Sequence, residues 1–281
     1  MDFTLSQYTR LLNTLVQAGF SFPSFEDYRN PSQTPNPESP LVILRHDVDL
    51  LPQNSLQTAL IENRLGIKGS YYFRIVKESN DPQIIEQIRE LGHEIGYHYE
   101  DLTLAGGNFE KAYDSFTANL EYFRRFYSVK TICMHGSPMS KWDSRDIWKK
   151  YNYRDLGIIG EPYFDIDFSK VAYYTDTGRM WNGNKYSVRD KISNIHNTSV
   201  IPHTTPTPSG GKAGRGAFPT YRSTPEIITA LKNNTFPPQA MLTLHPQRWT
   251  DKPLPWAKEL ILQGAKNVVK RWFFVNPQRP V

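Results

Sequence analysis

Leu41-Val42-Ile43-Leu44-Arg45-His46-Asp47-Val48-Asp49 is an unbroken apolar run of strand length that ends in a cluster of ionisable side chains. A run without polar alternation fits a strand covered on both faces, as in a parallel sheet. The pattern then repeats downstream. Residues 53–65 read as a helix carrying Leu56, Ala59, Leu60 and Ile61 and closed by Gly66. Residues 70–76 are aromatic and β-branched, hence a strand. Asp81-Pro82 is a cap and first-turn pair for a helix carrying Ile84, Ile85, Ile88 and Leu91, ended by Gly92.

A strand at 94–98, a helix at 109–127 and a strand at 131–134 follow. A short helix near 144–150 precedes expected strands at 156–159 and 171–175. Ser223 and Glu226 cap a helix running through Leu231, 239–244 is a strand, and 255–272 is a closing helix. At the other end, Thr4 and Gln7 open an amphipathic helix with Leu11, Leu12, Leu15 and Val16 on one face. A Pro/Ser/Asn loop at 31–40 links it to the first strand. Residues 193–222, rich in Ser, Thr, Pro and Gly, form a long loop insertion. The alternation predicts α/β architecture with about seven parallel strands in one sheet or barrel, and a single domain over 1–281.

Composition narrows the function. The 281 residues are 38% hydrophobic and 22% charged, which excludes disorder, collagen-like repeats and coiled coil. The net charge of +5 comes from scattered Lys and Arg pairs, so no nucleic-acid partner is expected. Cys133 is the only cysteine, which excludes an intramolecular disulfide and a cysteine-rich zinc site. No apolar run is long enough for a membrane span, and the N-terminus lacks a signal-peptide pattern, so a cytoplasmic location is expected.

Ligands of parallel α/β folds gather at the C-terminal strand ends. Those ends carry Arg45-His46-Asp47-Val48-Asp49, Gly96-Tyr97-His98-Tyr99-Glu100, Met134-His135-Gly136-Ser137-Pro138 and Leu244-His245-Pro246. Four of the seven histidines (His46, His98, His135 and His245) therefore stand at strand ends, expected to converge on one face. Asp47 and Asp49, two apart, can point into one site, where bare carboxylates would repel. A divalent cation on one removes that cost and leaves the other as a base. A catalytic metal needs about three protein ligands and an open position. Asp49 and His98 with a third residue meet this, His135 being the first choice and Glu100 the second.

At these residues the sequence resembles the NodB-homology polysaccharide deacetylases (carbohydrate esterase family four), which have a distorted (β/α) barrel holding one divalent metal. Arg45-His46-Asp47-Val48-Asp49 is similar to their Asp-x-Asp motif, implying Asp47 as general base and Asp49 as metal ligand. Gly92-His93-Glu94-Ile95-Gly96-Tyr97-His98 is similar to the family's Gly-His-Glu-Ile-Gly-x-His, whose last histidine binds metal. Leu242-Thr243-Leu244-His245-Pro246 resembles the motif whose histidine acts as general acid. The family's second metal histidine would stand at Leu102, and His135-Gly136-Ser137-Pro138 replaces an Arg-Pro-rich motif; the resemblance thus implies a divergent branch in which His135 is the third ligand.

The implied activity is metal-dependent removal of an N-acetyl group from an amino sugar, in a polysaccharide or its precursor. The implied cofactor is zinc, or else cobalt, nickel or iron. Arg45, Tyr97, Glu100, Asp176, Arg179 and Trp249 are expected to touch substrate or support the site, Trp249 by stacking on a sugar ring. Two alternatives remain at this stage: an amidase acting on another small C–N substrate, and a non-catalytic carbohydrate-binding protein.

Overall fold

The computed structural model describes residues 1–30, 32, 39–137, 140–181 and 218–270. Most of the 31–40 loop, Pro138, residues 193–217 of the expected insertion and the end of the closing helix lie outside the described residues.

Helix α1 (Leu5–Gln17) starts where Thr4 Oγ1 accepts the Gln7 N–H at 3.1 Å. It buries Leu11, Leu12 and Leu15, while Val16 is exposed. Helix α2 (Phe25–Arg29) leads to β1 (Leu41–Val48), four residues longer than its apolar core. Then come α3 (Pro52–Arg64), β2 (Ser70–Phe73), α4 (Pro82–Glu90), β3 (Glu94–Tyr99), α5 (Asp101–Leu104), α6 (Phe109–Arg124) and β4 (Ile132–Met134). The remainder is α7 (Pro162–Asp165), β5 (Ala172–Thr175), α8 (Thr224–Lys232), β6 (Gln239–Leu244) and α9 (Pro253–Lys270). The Asp81 cap of α4 and the Ser223 cap of α8 form as the sequence predicts.

Six strands, all parallel, make a half-barrel in the order β4-β3-β2-β1-β6-β5. The chain steps outward from β1 to β4, crosses to the far edge for β5, and returns between β5 and β1 with β6. This is the expected parallel α/β architecture with one strand fewer among the described residues. Residues 156–159 do not form the seventh. Asn152 caps a 3-10 turn at Tyr153–Leu156, and Gly157 ends it at φ 75°. Only a single bridge, Thr131 to Gly160, is left on that side of β4.

Successive residues of a strand point to opposite faces, and β1 shows what this implies. Leu41 and Ile43 enter a core cluster with residues of β2, β3 and β4. Val42 and Leu44 enter a second, packed against α1, α8 and β6. Arg45 and Asp47 continue the first series and His46 the second. Gly96 serves the inner face of β3, because a Cβ there would lie 2.4 Å from the Tyr72 ring.

His46 stacks on Tyr71 at 4.0 Å and lies 2.9 Å from Glu62 of α3. The fully buried Glu62 also accepts hydrogen bonds from Tyr8 (2.5 Å) and Tyr71 (2.9 Å). His93 accepts the Gly69 N–H through Nδ1 and donates through Nε2 to the Ala59 carbonyl, which fixes it as a neutral ring. Burial pushes the His93 pKa down, in keeping with that state. These two histidines therefore tie α1 and α3 to the sheet.

Candidate metal centre

The ends of β1, β3, β4 and β6 bring five side chains to one place. After Val48 the chain turns, the Asp49 N–H meeting the Asp47 carbonyl at 3.1 Å. Asp49 Oδ1 then lies 3.6 Å from His98 Nε2 and 3.4 Å from His135 Nε2. His245 Nε2 is 3.9 Å from Asp49 Oδ2, and Asp47 Oδ2 is 3.9 Å from His98 Nε2.

The other nitrogen of each ring is already committed. His98 Nδ1 meets the Cys133 carbonyl at 2.9 Å, His135 Nδ1 meets Glu100 Oε2 at 2.8 Å, and His245 Nδ1 meets Asp176 Oδ1 at 2.6 Å. Each Nδ1 is thus engaged by an acceptor, with Arg248 Nη1 also 2.9 Å from that of His245, and each Nε2 is the nitrogen that faces inward. Asp49 Oδ1 is buried and has no hydrogen-bond donor. An orphaned buried carboxylate oxygen faced by imidazole nitrogens calls for a positive charge between them, either protons on the rings or a bound cation.

A divalent ion meets that need. Ligand atoms about 2.0–2.1 Å from a tetrahedral ion stand roughly 3.3 Å apart, close to the spacings on Asp49 Oδ1. The ligand atoms of Asp49, His98 and His135 all lie within 4.8 Å of one another. Electrostatics favour positive charge here. Burial pushes the Asp49 pKa up, but His135, His98 and His245 hold it well below the carboxylate range. Burial lowers the His135 pKa, yet Asp49 and Glu100 bring it above its usual value. Access is one-sided: the Asp49 and His135 side chains are 19% and 17% exposed, against 2% for His98.

A second group, Asp47, His98 and Cys133, has ligand atoms equally close. Asp47, however, already has its charge matched by Arg45, with Nε at 2.8 Å and Nη2 at 2.6 Å from its two oxygens. Burial raises the Asp47 pKa, but the Arg45 guanidinium outweighs it and keeps the group ionised. Tyr163 Oη is 3.1 Å from Arg45 Nη2 and steadies the pair. On the opposite flank, Asp176 accepts from His245 Nδ1, from the His245 N–H at 2.9 Å, from Arg248 Nη1 at 2.6 Å and from Trp249 Nε1 at 2.8 Å. Burial opposes its ionisation, yet Arg248 and His245 hold its pKa near about 2.

Glu100 faces His135 and Arg74 together. Its Oε1 accepts from Arg74 Nε and Nη2 at 2.8 and 2.5 Å, and its Oε2 from His135 and from Ser137 Oγ at 3.2 Å. Both oxygens are occupied, which makes Glu100 a support for His135. Against burial, the His135 and Arg74 contacts bring its pKa down to about 2. Leu102, where a second histidine would stand, is buried in the hydrophobic cluster because the chain turns at once into α5.

Tyr97 and Arg179 are not brought to this place, Trp249 reaches it only through Asp176, and one histidine points away. Tyr97 lies on the face of β3 opposite His98, donates to Asp101 at 2.7 Å and packs on Phe116 and Phe123. Trp249 is fully buried among Phe3, Tyr8 and Trp181, so it braces Asp176 and has no surface for a sugar. Arg179 lies between the Phe3 and Trp256 rings, 5.3 and 4.9 Å away. His46 faces Glu62, so three strand-end histidines converge rather than four. Sequence reasoning missed Arg74, Arg248 and Gln247, whose Nε2 is 3.3 Å from Asp49 Oδ2. Gln247 and Arg248 stand two and three residues after His245, in the 3-10 turn at Pro246–Arg248, and that spacing was the available signal.

No family model matches the chain, and no curated protein matches it. Among solved structures it is similar to a Streptococcus pyogenes deacetylase, PplD, in complex with acetate, at 17% identity and a TM-score of 0.40. That likeness covers 53% of this chain and 70% of the other.

Proposed function

We propose that the chain is a metal-dependent hydrolase of carbon–nitrogen bonds that removes an N-acetyl group from an amino sugar, in a polysaccharide or its precursor. The observation that carries the reading is the orphaned Asp49 Oδ1 between two inward-facing imidazole nitrogens, with an ionised carboxylate and a third imidazole beside them. The motif resemblance supports the substrate class. Asp49, His98 and His135 would hold the ion, for which zinc suits a donor set of two imidazoles and one carboxylate. When bound, such an ion acidifies water and polarises a carbonyl oxygen.

The chain's own groups do the rest. Asp47, held as an anion by Arg45, accepts the proton of the attacking water as its oxygen bonds to the acetyl carbon. The C–N bond then breaks, and the nitrogen takes a proton from His245 Nε2, because an amine leaves poorly unless protonated. Asp176 fixes the ring so that Nε2 is the nitrogen facing the site. Acetate and a free amino sugar are the products.

Metal content by elemental mass spectrometry, followed by acetate release from N-acetylated saccharides and nucleotide sugars, tests the reading. One ion per chain is expected, with release abolished by a chelator. Asp47→Asn should keep the ion and lose about 10²–10⁴-fold in turnover. Near-wild-type turnover in that variant would remove Asp47 from the mechanism, and a chain that takes up no ion would defeat the reading altogether.

A further inference from the structure

Helix α9 is amphipathic in the inverted sense. Its polar side faces the protein: Gln263 is buried, Trp256 Nε1 donates to the Asp2 carbonyl at 2.7 Å, and Asn267 donates to the Gly178 carbonyl at 3.0 Å. Its apolar side faces outward. Leu254 is 84% exposed and Ile261 72%, with Leu260 and Leu262 each near half. At 100° per residue, Leu254, Ala257, Ile261, Gly264 and Ala265 lie along one stripe, with Lys258 beside it. A contiguous outward apolar strip on a polar-inward helix marks a contact surface.

Charge identifies the contact. From Lys252 to Arg271 the sequence carries Lys252, Lys258, Lys266, Lys270 and Arg271 against one acid, Glu259. Lys258 and Lys266 are exposed, whereas Glu259 is half-buried. A second copy of the same face would bring up another surface flanked by lysine and offer no acid on the stripe to meet it. An anionic bilayer surface accepts both features, burying the apolar strip among acyl chains while lysines reach the headgroups. The sequence after the helix, Arg271-Trp272-Phe273-Phe274, has the basic and aromatic residue types favoured at that interface.

We infer that the outward face of α9 binds peripherally to membranes rich in anionic lipid. It lies in the interface and does not span, since no described helix is long and apolar enough to cross a bilayer. The inference is independent of the catalytic reading, because none of these residues belongs to the metal centre.

Flotation of the full chain with phosphatidylcholine vesicles, with and without phosphatidylglycerol, provides the test. Binding is expected only with phosphatidylglycerol and should fall at high salt. Ile261→Glu should weaken it about tenfold or more, and Lys258→Glu should weaken it without touching the apolar strip. Acetate release in solution should be unchanged in both. Absence of flotation with anionic vesicles would overturn the inference. So would light scattering that shows a dimer which Ile261→Glu dissociates, since a second copy would then be the occupant.

Discussion

Replacing Glu100 with glutamine tests how His135 is held. Each carboxylate oxygen accepts two hydrogen bonds, Oε1 from Arg74 and Oε2 from His135 and Ser137. Glutamine has one carbonyl oxygen and so can satisfy only one side. If the oxygen keeps Arg74, the amide nitrogen faces His135 Nδ1 and favours the tautomer with its proton on Nε2, which cannot bind a metal. If it keeps His135, Arg74 loses its counter-charge and a part-buried pair is broken. Loss of a partner of this kind typically lowers metal affinity 10- to 100-fold, about 1.4–2.7 kcal/mol. Competition between the metal-free chain and a chromophoric chelator for Zn²⁺ measures the difference, with a thermal melt to establish that both proteins are folded. His135→Ala, which deletes a ligand atom, should cost more than Glu100→Gln. A folded Glu100→Gln variant with wild-type affinity would refute the claim that Glu100 positions His135.

Three further outcomes follow from the geometry. His245→Ala should lower acetate release about 10²–10⁴-fold at unchanged metal content; parallel loss of the ion would make His245 a ligand rather than the acid. Tyr97→Phe should leave turnover intact and cost about 1 kcal/mol in urea unfolding through the lost Asp101 hydrogen bond, whereas a large drop in turnover would return Tyr97 to the site. Burial raises the Glu94 and Glu161 pKa from the usual 4.5 to about 7, so the folded chain keeps protons that the unfolded chain has released. Their contribution is then fully present below about pH 4.5 and is lost as pH rises through 7, by up to about 3 kcal/mol for each group. Urea midpoints should fall across that window, and Glu94→Gln, a neutral isostere, should flatten the slope; an unaltered slope would remove Glu94 as its source.

The strand ends were legible because a continuous apolar run and an abrupt polar cluster are both local signals. The faces were harder to read. Adjacent residues of a strand point oppositely, so counting histidines at strand ends overcounts: His46 lies between Arg45 and Asp47 in sequence and across the sheet from them in space. The same alternation separates Tyr97 from His98. Other contacts were invisible for a different reason. Arg74 meets Glu100, and Trp249 meets Asp176, only because crossovers set β2 beside β3 and β5 beside β6. No spacing in the sequence encodes such contacts. Residues 156–159 have the composition of a strand, but Asn152 and Gly157 spend the segment on a turn, a local preference that overrode the apolar pattern.

Acid and base are told apart by what stands behind each of them. Asp47 is backed by a cation, with both oxygens on Arg45, so it stays an anion and can only accept a proton. His245 is backed by an anion, Asp176, which four donors hold ionised, Arg248 among them, and which anchors the Nδ1 side of the ring so that Nε2 faces the site. Exchanging these environments would leave a neutral carboxyl and an imidazole without its counter-charge, and neither could do the other's work. Opposite backing charges on either side of Asp49 therefore give the site a direction, with water deprotonated on the β1 side and the amine protonated on the β6 side.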